Sequence, residues 1–173
     1  WKPQYNEHLA LGYLKALEQT GEVCKIWPPH CILGSKGWAI SEVLIKSLFS
    51  WCISENKHYE LFYKGTHQAT EHYSIFKAAV EYEDADETKL NIKLLDKLDA
   101  FDQIIIMGEA ADYCVVNSLH DMLKARPDLV EKTILFTDCM SWIDPHNERA
   151  EYMYEEARRQ GVRFMISGDF NNY

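Results

Sequence analysis

The sequence predicts an α/β protein, a three-layer sandwich on a mostly parallel sheet. Three observations carry this. In the second half of the chain, short apolar runs alternate with helical patterns, the order expected of parallel β-α-β units. One run, Gln103–Met107 (QIIIM), is apolar without interruption after its first residue, as in a strand covered on both faces. A small-residue turn, Gly108–Asp112, follows it directly and leads into a helical pattern.

The elements follow in order. His8–Glu18 places Leu9, Tyr13 and Leu17 on one helical face, and Thr20-Gly21 stops the helix. Glu22–Trp27 is short and extended, and Pro28–Gly37 is a loop punctuated by Pro and Gly. Ser41 caps a helix over Glu42–Ser54 that is apolar around most of its circumference and is expected to be buried. Tyr59–Lys64 reads as a strand, Glu71–Tyr82 as a helix, and Asp86–Ala100 as a helix with Leu90, Leu94 and Leu98 in one row. A helix follows from Tyr113 to Ala125, before Pro127. Thr133–Thr137 and Val162–Ile166 are the last two strands. Between them Asp144 and Pro145 open a helix that ends at Gly161.

Composition narrows the function classes. The net charge of −9 and the lack of a basic stripe argue against a nucleic-acid partner. No apolar stretch has the length of a membrane span, and Trp1-Lys2-Pro3 carries no signal-peptide pattern. Five cysteines, an odd number without a CxxC pair, point to a reducing compartment, the cytoplasm, rather than a disulfide framework. Residues 1–173 read as one domain.

Three segments carry chemistry. In Gly108–Val116 a cysteine, Cys114, follows a buried strand at the start of a helix. Ligands of open α/β sheets bind beyond the carboxyl ends of the strands, and a helix N-terminus favours a thiolate. Cys114 is therefore a candidate nucleophile; the alternative is a buried structural cysteine. Lys64 ends an apolar strand and points to the same edge, as a thiolate partner or as a solvated surface lysine. His30, in Trp27-Pro28-Pro29-His30-Cys31, is a metal ligand or a hydrogen-bonded loop histidine; one histidine does not make a metal site. Cys24, Cys52 and Cys139 are expected to be buried, and His67 and His72 to be surface or capping residues.

Together these segments resemble the nicotinamidase-related branch of the isochorismatase-like cysteine hydrolases. Trp27–Gly37 is similar to that family's Trp-Pro-x-His-Cys-x-x-Gly-x-x-Gly loop, Lys64–Phe76 to its Lys-Gly segment with a downstream Tyr-Ser-x-Phe, and Gly108–Val115 to its nucleophile turn. The resemblance implies an isochorismatase-like, Rossmann-like fold and an Asp-Lys-Cys triad, with Cys114 as nucleophile and Lys64 as the lysine. It implies an oxyanion hole at the backbone N–H groups of Ala110 and Cys114, a cis peptide at Glu109–Ala110, a ring pocket bordered by Trp27 and Tyr113, and His30 as a metal ligand. The implied substrate is a small amide, nicotinamide above all, with no nucleotide cofactor. A divalent metal (zinc, iron or manganese) is implied if upstream ligands are present. A homo-oligomer is compatible with this reading.

The chain departs from the family in one respect. Neither the phrase bearing the triad Asp nor the Asp-x-His ligand pair is found before the Trp27 loop, where the family carries them, and a helix stands there instead. Two N-terminal strands of the expected sheet are thus absent from these 173 residues. The expectation is a C-terminal portion of a longer domain; the alternative is an inactive remnant. Other functional readings are a different amide or carbamoyl hydrolase of the superfamily, or a non-catalytic binding protein that keeps the fold.

Overall fold

The computed structural model describes residues 6–20 and 23–172. Helix α1 spans Glu7–Gln19, with the Asn6 side chain accepting from Leu9 N–H and Thr20 as C-cap. The expected stop at Gly21 and the extended start at Glu22 lie outside the described residues. Helix α2, Glu42–Glu55, is capped by Ser41, whose hydroxyl accepts from Leu44 N–H.

The sheet is parallel, in the order β1-β2-β3: β1 is Ile104–Glu109, β2 is Thr133–Ser141 and β3 is Arg163–Met165. Helices α4, Val116–Ala125, and α5, Glu148–Gln160, form the two crossovers. Leu119 and Met122 of α4 and Met153 and Ala157 of α5 pack with Ile104 and Leu135 of the sheet in one apolar core. Helix α3, Ile92–Asp99, adds Leu94 and Leu95 to it. The α/β class and the parallel sheet are as the sequence predicts. Among the described residues, no helix is long and apolar enough to cross a membrane.

Several elements differ from expectation, each for a physical reason. Glu71–Tyr82 is irregular instead of helical. His72, Ser74, Phe76 and Ala78 are buried while their neighbours are only partly so, a period of two that a helix cannot satisfy. Side chains fasten this segment: Thr70 Oγ1 accepts from Val80 N–H, and Thr88 Oγ1 from Tyr82 N–H. The helix expected from Asp86 is broken into a short 3₁₀ turn, Asp86–Thr88, and α3. Asn91 interrupts it, because its side chain accepts from Leu94 N–H and starts a new helix. The last helix starts at Glu148 under an Asn147 cap; Asp144 instead folds into a turn, accepting from His146 N–H. Its end at Gly161 is as expected, since φ of +115° is a conformation that glycine adopts without strain.

The largest differences concern burial and pairing. Among the described residues Tyr59–Lys64 finds no ladder partner and is not a strand. Helix α2 is apolar but not buried: Val43 is 77% and Ile53 71% exposed. Strand β1 is covered on one face only, and Met107 is 52% exposed. Among the described residues β1 is an edge strand, with β2 on one side and an open apolar cleft of about 360 Å³ along it. Apolar surface of this extent is uncommon on a monomeric soluble protein.

Candidate active site

The carboxyl end of β1 turns sharply. Gly108 has φ of +135°, where a side chain would be strained, and the Glu109–Ala110 peptide is cis, the bond the resemblance singled out. Ala111–Val115 then form one π-helical turn before α4 begins, and the Ala110 carbonyl accepts from Tyr113 N–H and Val115 N–H. Such turns are frequent at functional sites. Cys114 thus lies inside the π-helical turn, two residues before α4, and not in a regular α-helix from Tyr113. Its half-buried side chain lines the end of the cleft along β1.

Lys64 reaches this turn from a segment 50 residues earlier in the chain: its Nζ donates to Cys114 Sγ at 3.3 Å and to the His72 carbonyl at 2.6 Å. Two bonds fix the ammonium beside the sulfur. Ser118, one helical turn after Cys114, ties the parts together, its hydroxyl donating to the Cys114 carbonyl and accepting from Ile75 N–H.

Trp27, Tyr73 and Tyr113 form an aromatic group next to this pair. Trp27 stands edge-on to Tyr113 with centroids 4.9 Å apart, and its Nε1 donates to the Tyr73 hydroxyl at 3.1 Å. Tyr73 is tilted against Tyr113 at 5.4 Å, and Lys25 Nζ donates to the Tyr113 hydroxyl. The two groups are joined through the chain, since Tyr73 follows His72 and Tyr113 precedes Cys114.

His30 stands apart from this pairing. It meets Trp27 edge-on at 6.2 Å, and its Nδ1 faces the Pro28 carbonyl at 2.8 Å. Among the described residues no group of three or more His, Cys, Asp or Glu is placed to hold a metal ion. One exposed imidazole falls short of the three or four ligands that a zinc site needs. The described residues therefore do not form a metal site by themselves.

Several residues were not legible as contributors. Asp112 is buried and accepts from Ile143 N–H at 2.9 Å and Asp144 N–H at 3.0 Å, locking the loop after β2 onto the turn that carries Cys114. Tyr154 supports the same turn by donating to the Ala111 carbonyl at 2.6 Å. His72 was expected as a surface or capping residue but is 3% exposed; burial first, then the Lys64 charge, holds its pKa below the usual value. Cys24, expected to be buried, is exposed, as is Cys31; Cys52 and Cys139 are half-buried. No single-residue signal in the sequence separates a structural Asp112 from a solvated one.

No protein-family profile matches the chain. A nicotinamidase of Escherichia coli strain K12 is 25% identical over 159 residues, which are 92% of this chain and 64% of that protein. A nicotinamidase/pyrazinamidase structure from Acinetobacter baumanii superposes with a TM-score of 0.58 at 24% identity, covering 83% of this chain and 60% of that one. The yeast nicotinamidase bound to the inhibitor nicotinaldehyde gives the same TM-score and coverage at 20% identity. The chain has the nicotinamidase-related, isochorismatase-like fold. It spans less than two thirds of the length of these relatives. A pyrazinamidase structure of the same fold, from Pyrococcus horikoshii, is a complex with zinc; its TM-score is 0.50 at 22% identity, covering 96% of this chain and 71% of that one.

Proposed function

We propose that this chain carries the nucleophile half of a cysteine-dependent hydrolase of small planar amides, nicotinamidase-like, converting nicotinamide to nicotinate and ammonia. The observation that carries the proposal is the 3.3 Å contact between Lys64 Nζ and Cys114 Sγ at the turn after β1. The nicotinamidases and pyrazinamidases that share the fold support the same chemistry.

In this reading the Cys114 thiolate attacks the amide carbonyl carbon, forming a C–S bond and an oxyanion. The backbone N–H groups of Ala110 and Cys114 receive the oxyanion. Collapse breaks the C–N bond, and ammonia leaves after taking a proton. Water then attacks the thioester; a C–O bond forms, the C–S bond breaks, and the carboxylate departs. Lys64 pairs with sulfur whenever it is anionic, and the His72 carbonyl holds Lys64 in place. Trp27 and Tyr113 border the ring of the substrate.

The leaving amine needs an acid. Among the described residues no carboxylate is hydrogen-bonded to Cys114 or Lys64. The proposal assigns the acid, and the partners of His30 in any divalent metal site, to a segment outside these 173 residues. That segment would cover the open side of β1 and the apolar face of α2, so that this chain is a C-terminal portion of one domain. The setting is cytoplasmic, in keeping with the unpaired cysteines.

An aldehyde tests the site without needing that acid. Nicotinaldehyde adds to a thiolate as a thiohemiacetal, with no leaving group. It is expected to protect Cys114 of this chain from iodoacetamide, and benzaldehyde, which lacks the ring nitrogen, to protect it no better. Ammonia release from nicotinamide is expected only when the missing segment is supplied. Absence of aldehyde protection, or full turnover by these 173 residues alone, refutes the proposal.

A further inference from the structure

Between Lys64 and Tyr82 the chain forms no helix or strand, so each residue there is placed by individual contacts. Two of them fasten the backbone on either side of His72. The Glu71 carbonyl accepts from Ala79 N–H at 2.8 Å, and Ile75 N–H donates to Ser118 Oγ at 3.0 Å. Between these ties the His72 ring turns inward. The residue is buried, and among the described residues its Nε2 has no hydrogen-bond partner. The carbonyl of the same residue accepts from Lys64 Nζ at 2.6 Å, and Lys64 Nζ donates to Cys114 Sγ at 3.3 Å. Ring and carbonyl share one Cα, so the ring cannot leave the interior without moving the acceptor that aims Lys64.

A neutral imidazole suits this place and an imidazolium does not. With its proton on Nδ1, the ring presents Nε2 as a bare acceptor. A second proton would create an unpartnered N–H at Nε2 and a charge in a buried site. Burial is the largest influence on the ring and opposes the proton. The charged and titratable groups around it divide: Lys64 and His67 oppose the proton, and Glu71 and Glu87 favour it. The Glu71 carboxylate is already engaged, accepting from His72 N–H at 3.0 Å. Amide hydrolysis at Cys114 uses only the His72 carbonyl and gives the ring no task.

We propose that His72 is a positioning residue for Lys64, and that its ring must stay uncharged for Cys114 to be activated. A proton on Nε2 drives the ring outward, carries the carbonyl off Lys64 and frees the ammonium from sulfur. This rests on Lys64 and Cys114 being the reactive pair, and the test separates the two. Alkylation of Cys114 by iodoacetamide is timed between about pH 8 and pH 5 for the wild type, Lys64→Met, His72→Gln and His67→Gln, with circular dichroism at each pH. A thiol titrating alone slows about tenfold per pH unit below its pKa. Below about pH 6.5 the wild type should lose a further factor of about ten as the ring takes its proton. His72→Gln and Lys64→Met should each abolish this extra fall, and His67→Gln should keep it. In ¹H–¹³C NMR the wild-type His72 ring should titrate at the pH of the extra fall. Equal slopes for the wild type and folded His72→Gln overturn the inference, as does loss of the whole fold in step with the ring. A ring that titrates at another pH overturns it even where His72→Gln does not fold. Lys64→Met alkylating at the wild-type rate at pH 8 refutes the reactive pair itself, and the inference with it.

Discussion

Replacing Lys64 with Met keeps the length and the apolar stem of the side chain but removes the ammonium beside Cys114. The structure sets the size of the effect. At the observed 3.3 Å, a unit charge pair is worth about 1.3 kcal/mol in bulk water and about 5 kcal/mol at an effective dielectric constant of about 20. The sulfur is half-buried and Lys64 is exposed, so solvent screening favours the lower half of that range. The attraction lost with the ammonium corresponds to about a tenfold to hundredfold effect on an anionic sulfur. The expected result is an alkylation rate at Cys114 reduced about tenfold at neutral pH. The assay is timed iodoacetamide labelling, quenched and read by peptide mass spectrometry, with circular dichroism to confirm the fold. Lys64→Arg keeps the charge and should retain part of the reactivity, and added salt should narrow the gap between the wild type and Lys64→Met. A folded Lys64→Met protein that alkylates at the wild-type rate would show that the contact does not activate the sulfur.

Three further outcomes are expected. Cys114 should label ahead of Cys24 and Cys31, although both of these are exposed and Cys114 is half-buried; labelling in order of exposure would refute its assignment as the reactive thiol. Asp112→Asn weakens two hydrogen bonds from backbone N–H groups to a buried carboxylate and should cost about 1.5–3 kcal/mol, a Tm lower by roughly 3–12 °C in thermal unfolding; an unchanged Tm would refute the locking role. His72 and His120 both have pKa values lowered by burial, so below about pH 6.5 the unfolded chain takes up protons that the folded chain refuses. Their contribution to stability is complete above that pH and is lost as the pH falls, and His72→Gln should flatten the fall in urea midpoint between about pH 6.5 and 5.5; an unchanged slope would count against it.

What the sequence could determine by itself was local or periodic. The apolar run of β1, the strand starting at Thr133 and the Gly161 stop are set by residue type over a few positions, and the parallel α/β class followed from their alternation. The turn bearing Cys114 and the Lys64-Gly65 phrase were legible as motifs, because those short phrases recur in a known family. Tertiary structure decided the rest. Glu71–Tyr82 looked helical because its charges and aromatics suit a helix, but its burial alternates and brings polar His72 and Ser74 inside, which a hydrophobicity pattern cannot register. Helix α2 looked like a core helix because its residues are apolar, yet burial depends on a partner surface, and among the described elements none covers it. The carboxylate of Asp112 and the bond that aims Lys64 at sulfur join residues tens of positions apart. Such pairings depend on how the crossovers bring distant segments to one edge of the sheet, and residue identity alone does not encode that distance.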